Sequence, residues 1–562
     1  MENIRFTLYA LLLAVVFLIW QAWQEDAAKL APEASHAPVA TQQTANNADI
    51  PALDAPTLNP PAPGEVHQAI PVLASAERIS VETDLFSGEI DALGGDLRRI
   101  ALLKYPLSTD LPNSPVQLLS DRDGQFYVAQ NGLMAASGPA PDHRALYHAD
   151  AERYTLRDAE KSLDVPLHWT DPSGLTVTKR YHFERGSYVV GIDFRVENRG
   201  EKPWHGNLYS QLQQLPPPPP QRSPLSFMAP RTFTSVATYY DGHRYQKLAF
   251  DKLATTPIDL TQSGGWIAFS DHYFLGALLG DASAQSHYYS KNLPTGQVIL
   301  GLTGDKVELA PGETRELRTR MFLGPKEQNL LADVAPGLEL TVDYGLLTII
   351  AKPLFFVLSW THRVLFGNWG LAIIALTVLI KLGFFKLSEA QYRSMAKMRE
   401  FAPRIQALRD RYGEDKQKLN EAMMELYRKE KFNPLGGCLP IFVQMPVFIA
   451  LYWVLLESVE LRQAPFFLWI NDLSAKDPYY VLPVLFGISM LIQQRLSTAQ
   501  GTMDPMQQRV MMMMPVVMTV FFALFPSGLV LYWVVSNSLG ILQQWYITRK
   551  VESEKLRHAP AT

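Results

Sequence analysis

The stretch WGLAIIALTVLIKLGFFKLSEAQ (Trp369–Gln391) decides the fold class of this chain. It reads as a membrane-crossing helix as far as Lys381, where an ammonium interrupts the apolar run. A charge inside a span costs about 3 kcal/mol on insertion scales. Lys381 lies roughly 18 Å along the helix from Trp369, at 1.5 Å per residue, and so sits toward the end marked by Lys386. Thr377 precedes it by one turn on the same face. Two readings stand side by side. Lys381 either snorkels to nearby headgroups or faces a wetted cavity between helices.

Outward from this stretch the chain divides in two. Up to about Leu340 it is polar and strand-like apart from its first residues, and beyond that long apolar runs rich in Met, Phe and Trp dominate. The overall 47% apolar content and mean hydropathy of -0.03 average over these halves. A formal net charge of -4 over 562 residues names no partner, and the single Cys438 excludes an intramolecular disulfide.

The first run, IRFTLYALLLAVVFLIWQAW, carries about eighteen apolar residues after Arg5 and no small-residue cleavage pattern. Residues 1–23 are expected to form an uncleaved anchor with its N-terminus in the cytoplasm. Residues 24–63, rich in Ala, Pro, Thr and Asn, read as a flexible linker. Over 64–340 the period changes to two. In SYVVGIDFRVEN, Val190, Ile192, Phe194 and Val196 alternate with Gly191, Asp193, Arg195 and Glu197, as in a half-buried strand. GGWIAFSDHYFLGALLG and VELAPGETRELRTRMFLG look like strand pairs around turns, and LPPPPPQ (Leu215–Gln221) can only be a loop. This pattern predicts a large all-β sandwich. Its histidines (His182, His205, His243, His272 and His287) fall into no metal-ligand spacing, and no cofactor is expected.

Charge fixes the expected topology. The segment Lys386–Lys431 holds about a dozen Lys and Arg residues and should be cytoplasmic. An odd number of crossings must then separate it from the sandwich. Lys352-Pro353 breaks the preceding apolar run, so 341–367 is read as an amphipathic helix on the outer surface. Spans follow at 368–388, 438–458, 479–494, 509–525 and 528–548, with an outer loop at 459–478, an inner loop at 495–508 and an inner tail at 549–562. The expectation is a polytopic α-helical membrane protein with six transmembrane helices and both termini inside. The apolar parts of the fourth and fifth spans are only about 15 residues, roughly 22 Å against a core of about 30 Å. Either the bilayer thins there or flanking residues lengthen the helices.

The basic segment, 389–437, should be a helical hairpin. Met395, Met398, Ile405, Leu408 and Tyr412 recur at three- and four-residue steps; after a stop and N-cap at Gly413–Asp415, Leu419, Met423 and Leu426 repeat the pattern. A methionine seam can accommodate varied apolar partners or be simple core. Within the spans the polar residues are few: Gln444 between Pro440 and Pro446, and Tyr532, Ser536 and Gln543 at steps of four and seven. No Asp or Glu occupies the inner part of a span. There is no GxxxxGK[ST] loop, HExxH or GxSxG elbow, which argues against nucleotide or bond hydrolysis.

Several motifs resemble one family. QYRSMAKMR (391–399), NPLGGC (433–438), QMP (444–446), APFFLWI (464–470), DPYYVLPVL (477–485), DPMQQ (504–508) and FPSGLVLYW (525–533) are similar to the YidC membrane protein insertases of Gram-negative bacteria. The resemblance is specific from about Asp343 to Arg549 and looser in the sandwich. It implies a five-helix insertase core with a hydrophilic groove, and a periplasmic sandwich of the galactose-mutarotase-like kind without enzymatic activity. It also implies nascent membrane proteins as substrates, with the Sec translocon, the ribosome–nascent chain and signal recognition particle pathway and the lipid bilayer as partners, and no specific nucleic-acid binding. Candidate groove residues are Lys381, Thr377, Gln444, Tyr532, Trp533 and Ser536, and candidate hairpin contacts to the client are Met395, Met398, Leu419 and Met423. The family's groove charge is typically arginine. Lys381 keeps the charge without the planar fork, and Lys386 stands where the family often has proline. Two alternatives are a solute transporter or channel with Lys381 as an anion site, and an anchored sugar-modifying enzyme, for which no acid–base pair is identifiable.

Overall fold

Period-two rows of buried apolar side chains build the N-terminal half. In the strand Val189–Asn198, Val190, Ile192, Phe194 and Val196 are all fully buried, while the intervening residues keep partial or full contact with solvent. It pairs antiparallel with Leu175–Glu184 on one side and Thr314–Pro325 on the other. The computed structural model describes residues 73–122, 125–217, 235–240, 244–413, 415–430, 439–497 and 505–558. The expected N-terminal anchor and linker, and the NPLGGC motif with Cys438, lie outside the described residues. Among those described, an 11-stranded and a nine-stranded sheet pack face to face. Named strand pairs are antiparallel except for Arg78–Glu82 with Arg153–Thr155.

One local expectation needs correction. Trp266–Ser270 and Phe274–Leu279 do form a hairpin, but the two strands of VELAPGETRELRTRMFLG do not pair with each other. Val307–Leu309 joins Trp204–Gly206 in the larger sheet, and Thr314–Pro325 lies in the smaller one. The intervening turn, with Gly312 at φ +83, is an arch between sheets. Leu309 from one sheet and Met321 from the other then both reach the shared core, fully buried.

The C-terminal half is helical: α1 (Thr348–Val364), α2 (Trp369–Gly383), α3 (Phe385–Tyr412), α4 (Lys416–Lys429), α5 (Leu439–Glu457), α6 (Val481–Ser497), α7 (Pro505–Phe522) and α8 (Ser527–His558). Asn368 caps α2 by accepting from Leu371 N at 3.0 Å, and Asp415 caps α4 by accepting from Gln417 N and Lys418 N. Among the described residues no single helix is both long and apolar enough to cross a membrane. Only α2 together with Phe385–Lys397 passes, bent by 66°. The break falls at Phe384, so the long basic helix starts at Phe385. Flanking polar residues lengthen α6 to 17 and α7 to 18 residues, and α8 runs 32 residues. A continuous buried cluster passes from the sandwich through Tyr344, Ala351 and Phe355 into α2, α5 and α8.

Candidate functional site

A polar column runs along one side of α8. It begins where the Tyr532 hydroxyl meets the side chains of Gln444 from α5 and Ser536 from the next turn. Tyr532 and Ser536 are buried and Gln444 half-buried. One turn further, at Gly540, the missing side chain leaves room for three polar groups. A Cβ there would lie 3.8 Å from Lys381 Nζ, 3.5 Å from Gln493 Nε2 and 3.4 Å from the Tyr392 hydroxyl. Tyr392 donates to the Gly540 carbonyl at 3.1 Å, and Gln543 Nε2 donates to the Lys381 carbonyl at 3.4 Å in the last turn of α2. From Tyr532 to Gln543 the column spans about 16 Å. Among the described residues no carboxylate pairs with Lys381.

The expected groove residues therefore separate by role. Gln444, Tyr532 and Ser536 come together, and Lys381 sits two turns below Tyr532 on the same helix side. Thr377 is buried, but its hydroxyl donates to the Ile373 carbonyl at 2.6 Å within its own helix. Trp533 turns instead into an aromatic cluster, 4.9 Å from Phe448, 5.7 Å from Phe522 and 6.0 Å from Phe486. Its buried Nε1 has no hydrogen-bond partner among the described residues. Tyr392, Gln493 and Gly540 were not singled out from the sequence. Gly540 carried a usable signal, lying four residues after Ser536, which itself follows Tyr532 by four.

Beyond this column the hairpin is tied down. Arg393 pairs with Glu389 on its own helix and with Glu554 on α8 at 3.0 Å. Arg404 reaches Glu430 at 2.8 Å across the antiparallel α3–α4 pair. Ile405 is buried, whereas Met395, Leu419, Met423 and Leu426 are only half-buried. The Met398 side chain lies outside what is described.

The C-terminal end of α5 is held by the sandwich. His272 Nε2 and the Tyr273 hydroxyl both donate to the Leu456 carbonyl, at 3.1 and 3.3 Å. That carbonyl is one a helix leaves unpaired at its C-terminus. Burial holds His272 down to about 4, so it is neutral near pH 7, with its proton on the bonding nitrogen. Gln328 N donates to Glu460 Oε1 at 3.2 Å, and burial pushes this carboxyl up to about 7. Arg462 and Gln463 donate to the Pro106 carbonyl at 2.8 and 2.9 Å.

Residues 78–357 match the YidC periplasmic domain family, and residues 360–555 the 60Kd inner membrane protein family. The membrane protein insertase YidC of Nitrosococcus oceani is 48% identical over 555 residues, spanning 99% of this chain and 100% of its own length. That of Thioalkalivibrio sulfidiphilus is 49% identical over 568 residues, spanning 98% and 99%. The chain belongs to the YidC family of membrane protein insertases. The β-sheet half is therefore the periplasmic domain of a YidC-type protein, and the column on α8 belongs to its inner-membrane portion. The relatives are named as insertases, which does not favour the transporter reading. A solved YidC insertase aligns over 86% of this chain and 95% of its own, at 17% identity and a TM-score of 0.39.

Proposed function

We propose that this chain inserts membrane proteins into the bacterial inner membrane, without a covalent step. The observation that carries this reading is the Lys381 ammonium, lodged against Gly540 in a polar column with no carboxylate beside it among the described residues. A fixed positive charge in a partly desolvated groove attracts acidic or polar peptide more strongly than the same charge in bulk water. On this reading the groove is lined by Lys381, Gln444, Tyr532 and Ser536, with Thr377 and Trp533 in its walls, and transiently solvates the polar segment of a client. The α3–α4 hairpin receives the nascent chain through Met395, Met398, Leu419 and Met423. Release of the client's apolar segment into lipid drives the reaction, since a ~20-residue apolar helix gains much on leaving water.

The same reading assigns the chain six spans, with both termini in the cytoplasm, the sandwich in the periplasm and α1 on the outer surface. Small clients use the protein alone. Larger ones use it beside the Sec translocon, delivered by the ribosome and signal recognition particle. Crosslinking of a stalled nascent membrane protein to photoreactive probes at Lys381 and Gln444 tests the proposal. Contact at both positions is expected for a client's polar segment, and absence of contact at both would remove the groove from the mechanism.

A further inference from the structure

We propose that the tip of the hairpin formed by Asp96–Ser108 and Leu111–Leu119 is a foot that rests in the outer leaflet of the phospholipid bilayer, through Leu107 and Leu111 with Leu103 behind them. This rests on the reading above that α1 lies on the outer surface. The hairpin leaves the body of the sandwich with three register shifts, and its tip closes at Ser108 opposite Leu111. Leu107 is 60% and Leu111 51% exposed. Their position is fixed rather than free. Arg462 donates to the Pro106 and Leu107 carbonyls at 2.8 and 3.1 Å, and Tyr105 and Arg462 both pack on Phe274.

Arg462 belongs to the turn leaving the outer end of α5, and that turn continues into further unpartnered apolar side chains. The Phe466 carbonyl accepts from Asn368, the cap of α2, at 3.2 Å. This places Phe467 and Leu468 at the outer ends of two membrane helices. Leu468 is 84% exposed and held at φ +57, an uncommon conformation for leucine. Ile349, Phe356 and Trp360 on α1 are exposed as well. The hairpin tip thus continues an apolar fringe tied by hydrogen bonds to helix ends.

Two features favour lipid over protein as the occupant. Among the described residues Leu111–Leu119 is an outer strand that pairs only with Asp96–Ser108, and Pro112 and Pro115 interrupt its row of amide donors, which disfavours addition of a further strand. Three leucines also fall far short of the roughly 800 Å² per partner that a stable protein interface buries. Lys104 beside the tip suits an anionic headgroup layer.

The test uses the full chain with Cys438→Ser, reconstituted in phosphatidylethanolamine–phosphatidylglycerol vesicles. Single cysteines replace Leu107, Leu111, Ile349 or Ser173 and carry a fluorophore quenched by brominated acyl chains. Leu107→Cys and Leu111→Cys should be quenched several-fold more than Ser173→Cys on an exposed sandwich turn, and as strongly as Ile349→Cys on α1. Quenching at 349 but not at 107 and 111 overturns the foot and leaves the outer-surface reading intact. No quenching at any of these positions overturns both. Shielding of 107 from aqueous iodide without acyl-chain quenching would place a protein there, which also overturns the proposal.

Discussion

Lys179 and Lys381 both carry an ammonium out of bulk water, in opposite surroundings. Lys179 stands in the apolar row of the strand Leu175–Glu184, fully buried, and donates to the Gly94 and Asn131 carbonyls at 3.0 and 2.8 Å. The rings of Tyr147, Tyr181 and Phe194 lie 5.4–5.7 Å from its Nζ. Burial lowers its pKa from 10.5 to about 7, with Asp96 opposing that shift. The folded state thus binds fewer protons than the unfolded one between about pH 7 and 10.5, so stability should rise with pH across that window and be lowest below it. Denaturation midpoints of the full chain at pH 7 and pH 9 should differ, and Lys179→Met should flatten the difference. On the proposed function Lys381 would meet water and client where Lys179 meets carbonyls. Insertion should survive Lys381→Arg, which retains the charge, and fall at least about tenfold in Lys381→Ala, the loss of about 1.4 kcal/mol of stabilisation. Lys381→Glu should be worst on clients with acidic outer segments. Insertion assays on clients differing only in that charge check this; equal activity of Ala and wild type throughout would reduce Lys381 to snorkelling.

At the scale of elements, the methionine seam and the α5 clamp make separate predictions. Polar replacement of Met395, Met398, Leu419 and Met423 together should impair insertion while the spans stay assembled, as judged by protease-resistant fragments; wild-type activity would leave the seam without a part in function. His272→Ala should remove one donor from the Leu456 carbonyl, at a cost of about 1 kcal/mol, and speed amide exchange over 457–461. The strand Val189–Asn198 and the cap at Asp415 were legible because each is written within about ten residues. What lay beyond reach was long-range. The arch after Leu309 depends on which sheet each strand joins, a choice that alternation does not encode. Same-face spacing put Thr377 beside Lys381, but spacing is silent on whether a hydroxyl satisfies itself on its own helix. Tyr392, Gln493 and Gly540 come from three helices and meet only when these pack.

For the whole molecule, the sandwich is bound to the membrane half more extensively than its separate period-two pattern suggested, through His272, Tyr273, Arg462 and a shared buried cluster. Deleting residues 64–320 should nevertheless leave insertion mostly intact. Gln328 and Tyr344 remain bonded to Glu460 and Ser458, and the polar groups uncovered at the C-terminal end of α5 can turn to water. Complete loss of insertion by a stably present deletion protein would make the sandwich part of the machine. The break between α2 and α3 has a mechanical consequence of its own. The 66° bend at Phe384 is not a free joint, because Tyr392 and Arg393 pin the first two turns of α3 to α8. Any swing of the hairpin would therefore be rooted past Arg393 and carry the helix to Tyr412, about 30 Å long and containing Pro403. A rotation of about ten degrees at its root would sweep the tip by about 5 Å, roughly one helical turn, while Lys381 stays where it is. On the proposed function, capture and solvation of a client would thus be geometrically decoupled: the crane could move without disturbing the dock.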